Sequence, residues 1–314
     1  KMFDGLFLRI SQREKISVMK IPLFAYTLYY LSGQMVANRI WLYNDNDLNP
    51  KEKTQFNIET QKIISPNQAS KEPSTLIIEW AKHQDEVRQA QQLRYQVFGI
   101  EMGARIKEVI PKHEIDLFDD YCEHLIVRDQ SSRQVIGTYR ALTPVQAKRI
   151  GSTYSDLEFD LTRLRTYRDR MVELGRSCVH PNHRHGGVIM ALWGALAEFM
   201  VRNKLDVMIG CASIPMLHQG VVSSKVAASI WHQLKMTHLA DISHRVTPRL
   251  PLPVDQWEVN VAFEPPALIK GYLRLGAKVL GAPAWDPDFN TADLPMLMKI
   301  QDMPTRYRKH FLGS

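Results

Sequence analysis

Three histidines, one arginine and two glycines are crowded into the turn at residues 179–187, V-H-P-N-H-R-H-G-G. The first amides of a helix have no partner within the helix and carry partial positive charge, so they attract anions. Gly186 and Gly187 would let an anion approach the backbone closely, and Arg184 adds a charged donor. The turn therefore predicts a phosphate site, with a plain connection and a metal site as alternatives.

A metal site needs histidines that converge with a carboxylate. His180, His183 and His185 lie in a turn and lack the i, i+4 spacing that places two zinc ligands on one helix face. We therefore expect no metal here.

The turn must be positioned by a strand before it and a helix after it. Residues 171–179 are strand-like, and residues 187–204 carry apolar positions at helical spacing. A β-hairpin together with one strand–helix–strand crossover is typical of a mixed α/β sheet. The other predicted elements are a helix over 75–99, hairpin strands over 124–129 and 134–142, and strands over 206–214, 257–263 and 294–300.

The composition is that of an ordinary globular chain, with 314 residues, 45% hydrophobic and 23% charged. The formal charge of +7 favours an acidic partner, which could be a protein, an anionic membrane surface or a nucleic acid. The three widely spaced cysteines form no CxxC pair, so we expect neither a disulfide framework nor a zinc knuckle. A reducing compartment fits this cysteine usage best.

The first part of the chain is predicted to lie outside the main domain. Residues 1–43 form an N-terminal appendage, residues 44–74 a polar linker or irregular segment, and residues 75–314 the principal domain. No run approaches the ~20 apolar residues of a spanning helix. The apolar run 21–31 follows a basic segment and suggests an amphipathic helix on a membrane or partner; a helix packed on the main domain is the alternative.

The turn 179–187 resembles the acyl-donor loop of the GNAT acyltransferase superfamily. Arg184 and Gly187 match its R-x-x-G pattern. Ile189 stands where the pattern has a small residue, which favours a donor with one phosphate, such as acyl carrier protein, over coenzyme A.

Longer segments resemble the ornithine-(acyl carrier protein) N-acyltransferase family, a hemolysin-like GNAT branch that makes lyso-ornithine lipid. The resemblance covers roughly residues 75–312. It implies a GNAT-like mixed central sheet flanked by helices, with the N-terminal helical appendage outside it. The motifs are LRYQVFGIE (93–101), FDDYCEHLIV (118–127), VIGTYRAL (135–142), ELGRSCV (173–179), GCAS (210–213), HLADISHRVTPRLPLP (238–253) and PPALIKGYLRLGAKVLGAPAWDPDFNTADL (265–294).

The implied reaction moves an acyl group from a thioester to an amine, and the amine must first lose a proton. Strand alternation places Glu173, Gly175, Ser177 and Val179 on one face and Arg176 on the other. Glu173 is our candidate base, Ser177 would hold a water or the amine, and Arg176 completes the candidate catalytic set. The alternatives are a Glu173–arginine pair within the sheet and a satisfied strand hydroxyl.

Arginines and acids elsewhere supply the candidate acceptor site. The arginines could bind the amino acid's carboxylate, or they could form a structural network with Glu101, Asp119, Asp120 and Glu173. The acidic cluster Asp286, Asp288 and Asp293 is interpreted as a turn. The predicted acceptor-binding residues are Arg94, Glu101, Asp119, Asp120 and Arg140.

The donor side needs a phosphate site, an apolar slot and a basic rim. The rim candidates are Arg184, His183, Arg202 and Lys204, with solvated surface charge as the alternative. The slot candidates are Trp193, Phe199, Met200, Met208 and Met216, with core packing as the alternative. The predicted phosphopantetheine-binding residues are Val179, His183, Arg184, His185, Gly186 and Gly187.

The resemblance implies transfer of a 3-hydroxyacyl or related fatty acyl group from acyl carrier protein to the α-amino group of L-ornithine. No tightly bound cofactor is expected, because the acyl-4'-phosphopantetheine of the carrier is itself the donor substrate. We expect a cytoplasmic enzyme with peripheral contact to the inner membrane and no nucleic-acid partner. The alternatives are another amine acceptor, as in autoinducer-type synthases, or a non-catalytic module that binds acyl carrier protein or lipid.

Overall fold

The computed structural model describes residues 24–31, 34–41, 75–218, 221–254 and 263–312. The chain divides into two compact units, residues 1–69 and 70–314. In the first unit, β1 (Phe24–Leu31) pairs antiparallel with β2 (Gln34–Trp41). The helix expected over 21–31 is therefore wrong for residues 24–31, because the aromatic residues and threonine of this run favour a strand once β2 pairs with it.

The second unit is built around a mixed sheet. Its strands are β3 (Leu76–Trp80), β4 (Glu123–Asp129), β5 (Val135–Leu142), β6 (Phe159–Asp160), β7 (Met171–Val179), β8 (Val207–Pro215), β9 (Leu217–His218), β10 (Val221–Val222), β11 (Thr247–Pro248), β12 (Lys278–Val279), β13 (Ala284–Asp286) and β14 (Thr291–Lys299). Its helices are α1 (Gln84–Arg94), α2 (Pro144–Ile150), α3 (Tyr154–Glu158), α4 (Gly187–Arg202), α5 (Lys225–Thr237), α6 (Ala267–Arg274) and α7 (Thr305–Leu312).

The main sheet has the strand order β12-β14-β8-β7-β5-β4-β3, and β13 pairs with β14. Every neighbouring pair is antiparallel except β7 and β8, which α4 connects as a parallel crossover. Every residue of β5 is buried, as expected of a strand covered on both faces. The mixed sheet predicted from the hairpin and the crossover is confirmed.

Helices cover the two faces of the sheet. On one, called the α1 face, Ala90 and Leu93 pack against Ile126 and Cys178. On the other, called the α4 face, Leu192 packs against Leu125, Val127 and Ile136. The functional site is built where these two layers and the sheet meet.

The predicted helix over 75–99 is wrong for its first part. Residues Leu76–Trp80 form the edge strand β3, which pairs with β4, and α1 begins only at Gln84. β-Branched isoleucines and an open sheet edge outweigh the helical spacing there. A seven-residue π-helix, Tyr95–Glu101, continues α1. The strand predicted over 257–263 lies almost wholly outside the described residues.

Candidate active site

A cleft opens where β7 and β8 separate. Their parallel pairing covers Met171, Val172 and Glu173 against Val207, Met208 and Ile209 and ends there. The residues that follow in both strands, including Gly175 and Ser213, line a cleft of about 480 Å³. A separation between adjacent parallel strands exposes backbone and both sheet faces to one ligand.

A β-bulge in β7 sets which side chains enter the cleft. The register with β5 shifts so that Thr138 faces Cys178 while Arg140 faces Gly175, which leaves two residues of β7 opposite Tyr139. One of them, Arg176, has φ of 52°, in the left-handed region. An inserted residue of this kind reverses the alternation of side chains beyond it.

The predicted faces of β7 are therefore wrong beyond Gly175. Glu173 and Arg176 both contact Tyr154 on the α1 face: Tyr154 donates its amide to Glu173, and the Arg176 guanidinium lies 4.8 Å from its ring centre. Ser177 points to the α4 face, where its side chain bonds the hydroxyls of Tyr139 and Tyr272. The two predicted catalytic partners Glu173 and Ser177 are thus separated by the sheet.

Glu173 is buried and fastens the first turn of α3 to β7. Its Oε1 accepts the Ser155 amide at 2.6 Å, and its Oε2 accepts the Tyr154 amide at 2.8 Å. Burial raises the pKa of the Glu173 carboxyl, and the hydrogen bonds from Ser155 and Tyr154 oppose that rise. Glu173 lines the cleft, but both of its oxygens already hold backbone donors.

A buried ionic network lies beside the cleft on the α1 face. Arg94 is fully buried and bonds Glu114 through Nε at 2.5 Å and Asp119 through Nη2 at 2.6 Å. Arg140 adds Asp119 at 2.8 Å, so one aspartate joins two arginines. These arginines hold the pKa of the Asp119 carboxyl far below its usual range, although burial acts in the opposite direction.

The network extends to the cleft through Arg176. Arg176 Nε lies 3.1 Å from Glu114, and Arg176 Nη2 lies 3.1 Å from Asp116. Arg140 Nη1 lies 2.5 Å from the other Asp116 oxygen. Arg140 and Arg176 line the cleft, whereas Arg94 is not among its lining residues and bonds the buried carboxylates Glu114 and Asp119.

Two predicted acceptor residues lie outside this network. Asp120 is exposed and does not line the cleft, because the 3-10 turn Asp119–Tyr121 points it away from the buried Asp119. Glu101 ends the π-helix and pairs with Arg184, which belongs to the turn at residues 179–187, here called the donor turn. Glu114 and Asp116 take the places expected for them; neither belongs to a sequence motif that marks it, and only the fold brings them to the arginines.

A second acidic wall faces Arg176 across the cleft. Asp286 and Asp293 both line it, although the sequence suggested only a turn. Asp286 does form that turn, since its Oδ1 accepts the amides of Asp288 and Phe289, while its Oδ2 accepts the Tyr154 hydroxyl at 3.0 Å. Burial, followed by the charge of Asp286, raises the pKa of Asp293 to about 6.

The donor turn opens on the cleft as the sequence predicts. Gly186 has φ of 99° and precedes α4, whose start has no side-chain cap within the described part of the chain. Val179, His183, Arg184 and Gly186 line the cleft. His185 and Gly187 are exposed and are not among its lining residues, although Gly187 is the first residue of α4.

Arg184 is held in place by its neighbours. Its Nε donates to the Val179 carbonyl at 2.9 Å, and its two Nη atoms bond both Glu101 oxygens at 2.5 and 2.7 Å. The guanidinium charge is therefore already matched by a carboxylate at the mouth of the cleft. Over residues 75–218, 221–254 and 263–312, no His, Cys, Asp or Glu group is arranged to hold a metal ion.

An apolar cavity of about 90 Å³ adjoins the cleft on the α4 face. Tyr139, Trp193 and Tyr272 line both spaces and lie at their boundary. The hydroxyls of Tyr139 and Tyr272 bond each other there. Most of the other lining residues come from α4, α7, β8 and β14, so several elements contribute to the cavity.

Three of the five slot candidates line this cavity: Trp193, Met200 and Met208. Phe199 instead packs on Trp80 with ring centres 4.5 Å apart, and Met216 is buried in a core cluster with α5. For these two the core-packing alternative is correct.

The cysteines of the described residues are free thiols. Burial raises the pKa of the Cys178 thiol to about 12, and it also raises the pKa of Cys211, which lines the cleft, well above its usual value. A thiol that stays protonated is a poor nucleophile, so the site favours direct transfer without a cysteine intermediate.

No helix in the described ranges combines the length and apolar character needed to cross a bilayer. The longest described helix, Gly187–Arg202, has 16 residues and packs on the sheet.

Part of the chain matches the model of a known protein family. Residues 93–194 match the family model "Acetyltransferase (GNAT) domain". These residues contain Arg94, the β7 bulge and the donor turn with the first half of α4.

The chain is similar to curated enzymes over most of their length. It is 34% identical over 253 residues to the L-ornithine N(alpha)-acyltransferase of Brucella abortus, covering 76% of this chain and 89% of that protein. It is 33% identical over 247 residues to the L-ornithine N(alpha)-acyltransferase of Rhodobacter capsulatus, covering 76% of this chain and 95% of that protein.

Among solved structures, the AHL synthase LasI matches with a TM-score of 0.46 and 13% identity, covering 77% of this chain and 96% of that one. FeeM, an N-acyl amino acid synthase from uncultured soil microbes, matches with a TM-score of 0.42 and 11% identity, covering 73% and 94%. The identity and coverage of the curated relatives, together with the GNAT domain, show that the chain is an acyltransferase of the L-ornithine N(alpha)-acyltransferase family.

Proposed function

We propose that this protein transfers a fatty acyl group, such as a 3-hydroxyacyl group, from acyl carrier protein to the α-amino group of L-ornithine. The product is lyso-ornithine lipid. The observation that carries the proposal is the uncapped start of α4, which opens on the cleft between a buried acidic wall and an apolar cavity. The charged acceptor would therefore bind at the acidic wall and the fatty acyl chain in the apolar cavity, and these two surfaces meet in the cleft.

The donor's phosphate is assigned to the start of α4. A 16-residue helix presents unpaired amides and the positive end of its dipole there. Gly186 and His183 line the adjoining wall of the cleft. Bulky Ile189 follows in the first turn, which supports a donor with a single phosphate, as on a carrier protein, over the larger pyrophosphate of coenzyme A.

The acyl chain is assigned to the apolar cavity on the α4 face. A buried methylene contributes roughly 0.8 kcal/mol, so a fatty chain gains substantially from apolar walls. Met200 and Met208 line the cavity, and flexible thioethers adapt to chains of different shape. The chain would pass Tyr139 and Tyr272 to reach the cavity from the cleft.

The amine acceptor is assigned to the α1 face of the cleft. L-Ornithine carries two ammonium groups at neutral pH, and Asp286 and Asp293 present negative charge to them. Arg176, across the cleft, can attract the acceptor's carboxylate, although Glu114 and Asp116 already share its charge. The curated relatives are L-ornithine N(alpha)-acyltransferases, which supports ornithine over other amines.

The chemistry follows from this arrangement. The acceptor loses a proton from its α-ammonium, and the free amine attacks the thioester carbonyl carbon. Charge develops on the carbonyl oxygen, and a backbone amide on the unpaired edge of β7 beyond Glu173 can stabilise it. The carbon–sulfur bond then breaks, and the thiol of the carrier leaves.

The first experiment incubates the purified protein with a carrier protein loaded with a long acyl chain and follows thiol release with a panel of amines. We expect turnover with L-ornithine and an α-amide product by mass spectrometry. Turnover with glycine or homoserine derivatives but none with ornithine would refute the proposed acceptor. Equal kcat/KM values for acyl-coenzyme A and acyl carrier protein would refute the proposed donor.

The second experiment tests the phosphate at α4. Gly186→Ala places a Cβ at a left-handed position whose surroundings are open, so it distorts the turn without a clash. We expect a donor KM raised about tenfold or more with acyl-phosphopantetheine, and little change with acyl-pantetheine, which lacks the phosphate. Gly151→Ala is the matched control, since Gly151 also has positive φ and open surroundings but ends α2 outside the cleft.

A further inference from the structure

Three buried carboxylates line the cleft: Glu173, Asp286 and Asp293. Asp286 is held by the amides of its own turn and by the Tyr154 hydroxyl, and the hydrogen bonds of the other two suit different roles. Glu173 lies on β7, and Asp293 lies on β14 opposite Ser213 of β8. Both line the cleft where β7 and β8 have separated. An acceptor amine in the cleft could therefore meet either group.

Glu173 is committed to the backbone of α3. Each of its oxygens accepts an amide, from Ser155 at 2.6 Å and from Tyr154 at 2.8 Å, and the Ser155 hydroxyl bonds it as well. An amide can only donate, so protonation of Glu173 would weaken one of these bonds and release the first turn of α3. Glu173 therefore acts best as an anchor for α3, although burial raises the pKa of its carboxyl.

Asp293 has partners that tolerate both protonation states. Its Oδ1 accepts the Thr291 hydroxyl at 2.8 Å, and the Ser213 hydroxyl also bonds it. A hydroxyl can turn from donor to acceptor when the carboxyl gains a proton. Asp293 is 3% exposed, and over the described residues no basic side chain lies within ion-pair distance of it.

The groups that face Asp293 come from every neighbouring element. The neighbours that can carry negative charge are Asp286 of β13, Tyr154 and Glu158 of α3, and Cys211 of β8. The cation that acts on the Asp293 carboxyl is Arg176 of β7. Glu173 is a further charged neighbour, since its charge and that of Asp293 both raise the pKa of Cys211. This surplus of negative charge and the burial favour the neutral carboxyl and raise the pKa of Asp293 to about 6.

We propose that Asp293 accepts the proton of the acceptor's α-ammonium, and that Glu173 is a positioning residue that holds Tyr154 and Ser155. The inference rests on the proposed function and names the base of that site. The ammonium proton moves to an Asp293 oxygen, and the amine nitrogen forms the new bond to the thioester carbon. The carbon–sulfur bond breaks, the nitrogen's second proton passes to the thiolate, and Asp293 releases its proton to solvent.

Glu158 of α3 is an acidic neighbour of Asp293 that is not among the residues lining the cleft. It ends α3, is half-buried, and feels the charges of Asp293 and Asp286. Burial, followed by those two charges, raises the pKa of Glu158 to about 7.

The test compares pH–rate profiles of wild type, Asp293→Asn and Glu173→Gln with a saturating donor. We expect an acid limb near pH 6 in wild type, a loss of about 100-fold or more in kcat/KM at pH 7 for Asp293→Asn, and no acid limb in that variant. Glu173→Gln should lose activity but keep the limb. Asp288→Asn, in the same turn but exposed, is the control and should match wild type.

A second readout separates proton transfer from misfolding. Hydroxylamine is largely neutral at pH 7 and needs no base before it attacks, so the loss for Asp293→Asn should shrink at least tenfold with it. The loss for Glu173→Gln should be the same with both amines. An unchanged acid limb in Asp293→Asn, or a loss equally large with hydroxylamine, would overturn the assignment.

The outcomes also separate this inference from the proposed function. If wild type acylates another amine and not ornithine, the proposed acceptor is wrong, and the same profiles measured with that amine still decide the base. If the limb disappears only in Glu173→Gln, Glu173 is the base and Asp293 is not.

Discussion

Arg184 grips Glu101 through both guanidinium nitrogens, with Nη1 2.5 Å from Oε1 and Nη2 2.7 Å from Oε2. The pair joins the donor turn to the π-helix Tyr95–Glu101. The Glu101 carboxylate thus already pairs with Arg184, the cation that we predicted to bind the donor's phosphate. Donor binding must therefore share or displace this contact.

The first prediction concerns that pair. Glu101→Gln keeps a carbonyl acceptor for Arg184 but removes the negative charge, so the donor turn becomes more positive. We expect the KM for acyl carrier protein to fall about three- to tenfold at low salt, and to rise more steeply with ionic strength than in wild type. Steady-state kinetics from low to high salt measure both effects.

Asp169→Asn is the control, because Asp169 also pairs with a cation, the exposed Lys148. It should leave the donor KM unchanged. A raised KM in Glu101→Gln would mean that Glu101 positions Arg184 and does not compete with the donor.

The second prediction concerns the buried ionic network. Arg94→Met removes the cation shared by Glu114 and Asp119 and leaves two buried carboxylates short of a partner. We expect the free energy of unfolding at pH 7 to fall by about 3–5 kcal/mol. Urea unfolding measures it, with Lys148→Met, in the exposed pair, as a control that should show no measurable change.

The pH dependence of this loss has a definite sign. The pKa of Asp119 is depressed in the folded state, so its contribution is present above the ordinary pKa of about 4 and is lost as the pH falls below it. The difference between wild type and Arg94→Met should therefore shrink in acid. A constant difference from pH 7 to pH 3 would contradict this account.

The third prediction uses Asp293 in the opposite direction. Its pKa of about 6 lies above the ordinary value of about 4, so the folded state retains a proton that the unfolded state has lost between these pH values. Stability contributed by that proton falls as the pH rises from about 4 to 6. Asp293→Asn, neutral throughout, should be about 3 kcal/mol more stable than wild type at pH 8 and equal to it near pH 4.

Urea unfolding at the two pH values measures this difference. Asp288→Asn should show none, since Asp288 lies exposed beside Arg105. If Asp293→Asn were destabilised equally at both pH values, Asp293 would be held as a charged structural group.

The fourth prediction concerns the apolar cavity. Ala197 of α4 lines it, so Ala197→Phe fills space that the proposal gives to the acyl chain. We expect the preferred chain length to shorten by several carbons, with roughly 0.8 kcal/mol of binding lost for each methylene that no longer fits. A series of carrier-bound acyl chains of increasing length measures kcat/KM.

Val201→Phe is the matched control on the same helix, because Val201 is 60% exposed and does not line the cavity. It should leave the length preference unchanged. An unchanged preference in Ala197→Phe would place the acyl chain elsewhere.

Much of the fold follows from local pattern. The hairpin β4–β5, strand β7, helix α4 and the parallel crossover to β8 were predicted, because each has a clear apolar period and polar ends. The edge strand β3 was missed, since its five residues are half-buried and its identity depends on pairing with β4. The same holds for β13, which exists only through β14.

The donor turn could be predicted from the chain alone, since its glycines, arginine and following helix are contiguous and their chemistry is local. The division of Glu173, Arg176 and Ser177 between the two faces could not, because one bulge residue with positive φ reverses the alternation. Long-range packing also brought Glu114, Asp116 and Asp293 to the site. Their charges gain meaning only when strands and loops far apart in the chain are packed together, where burial and neighbouring charges fix what each carboxylate can do.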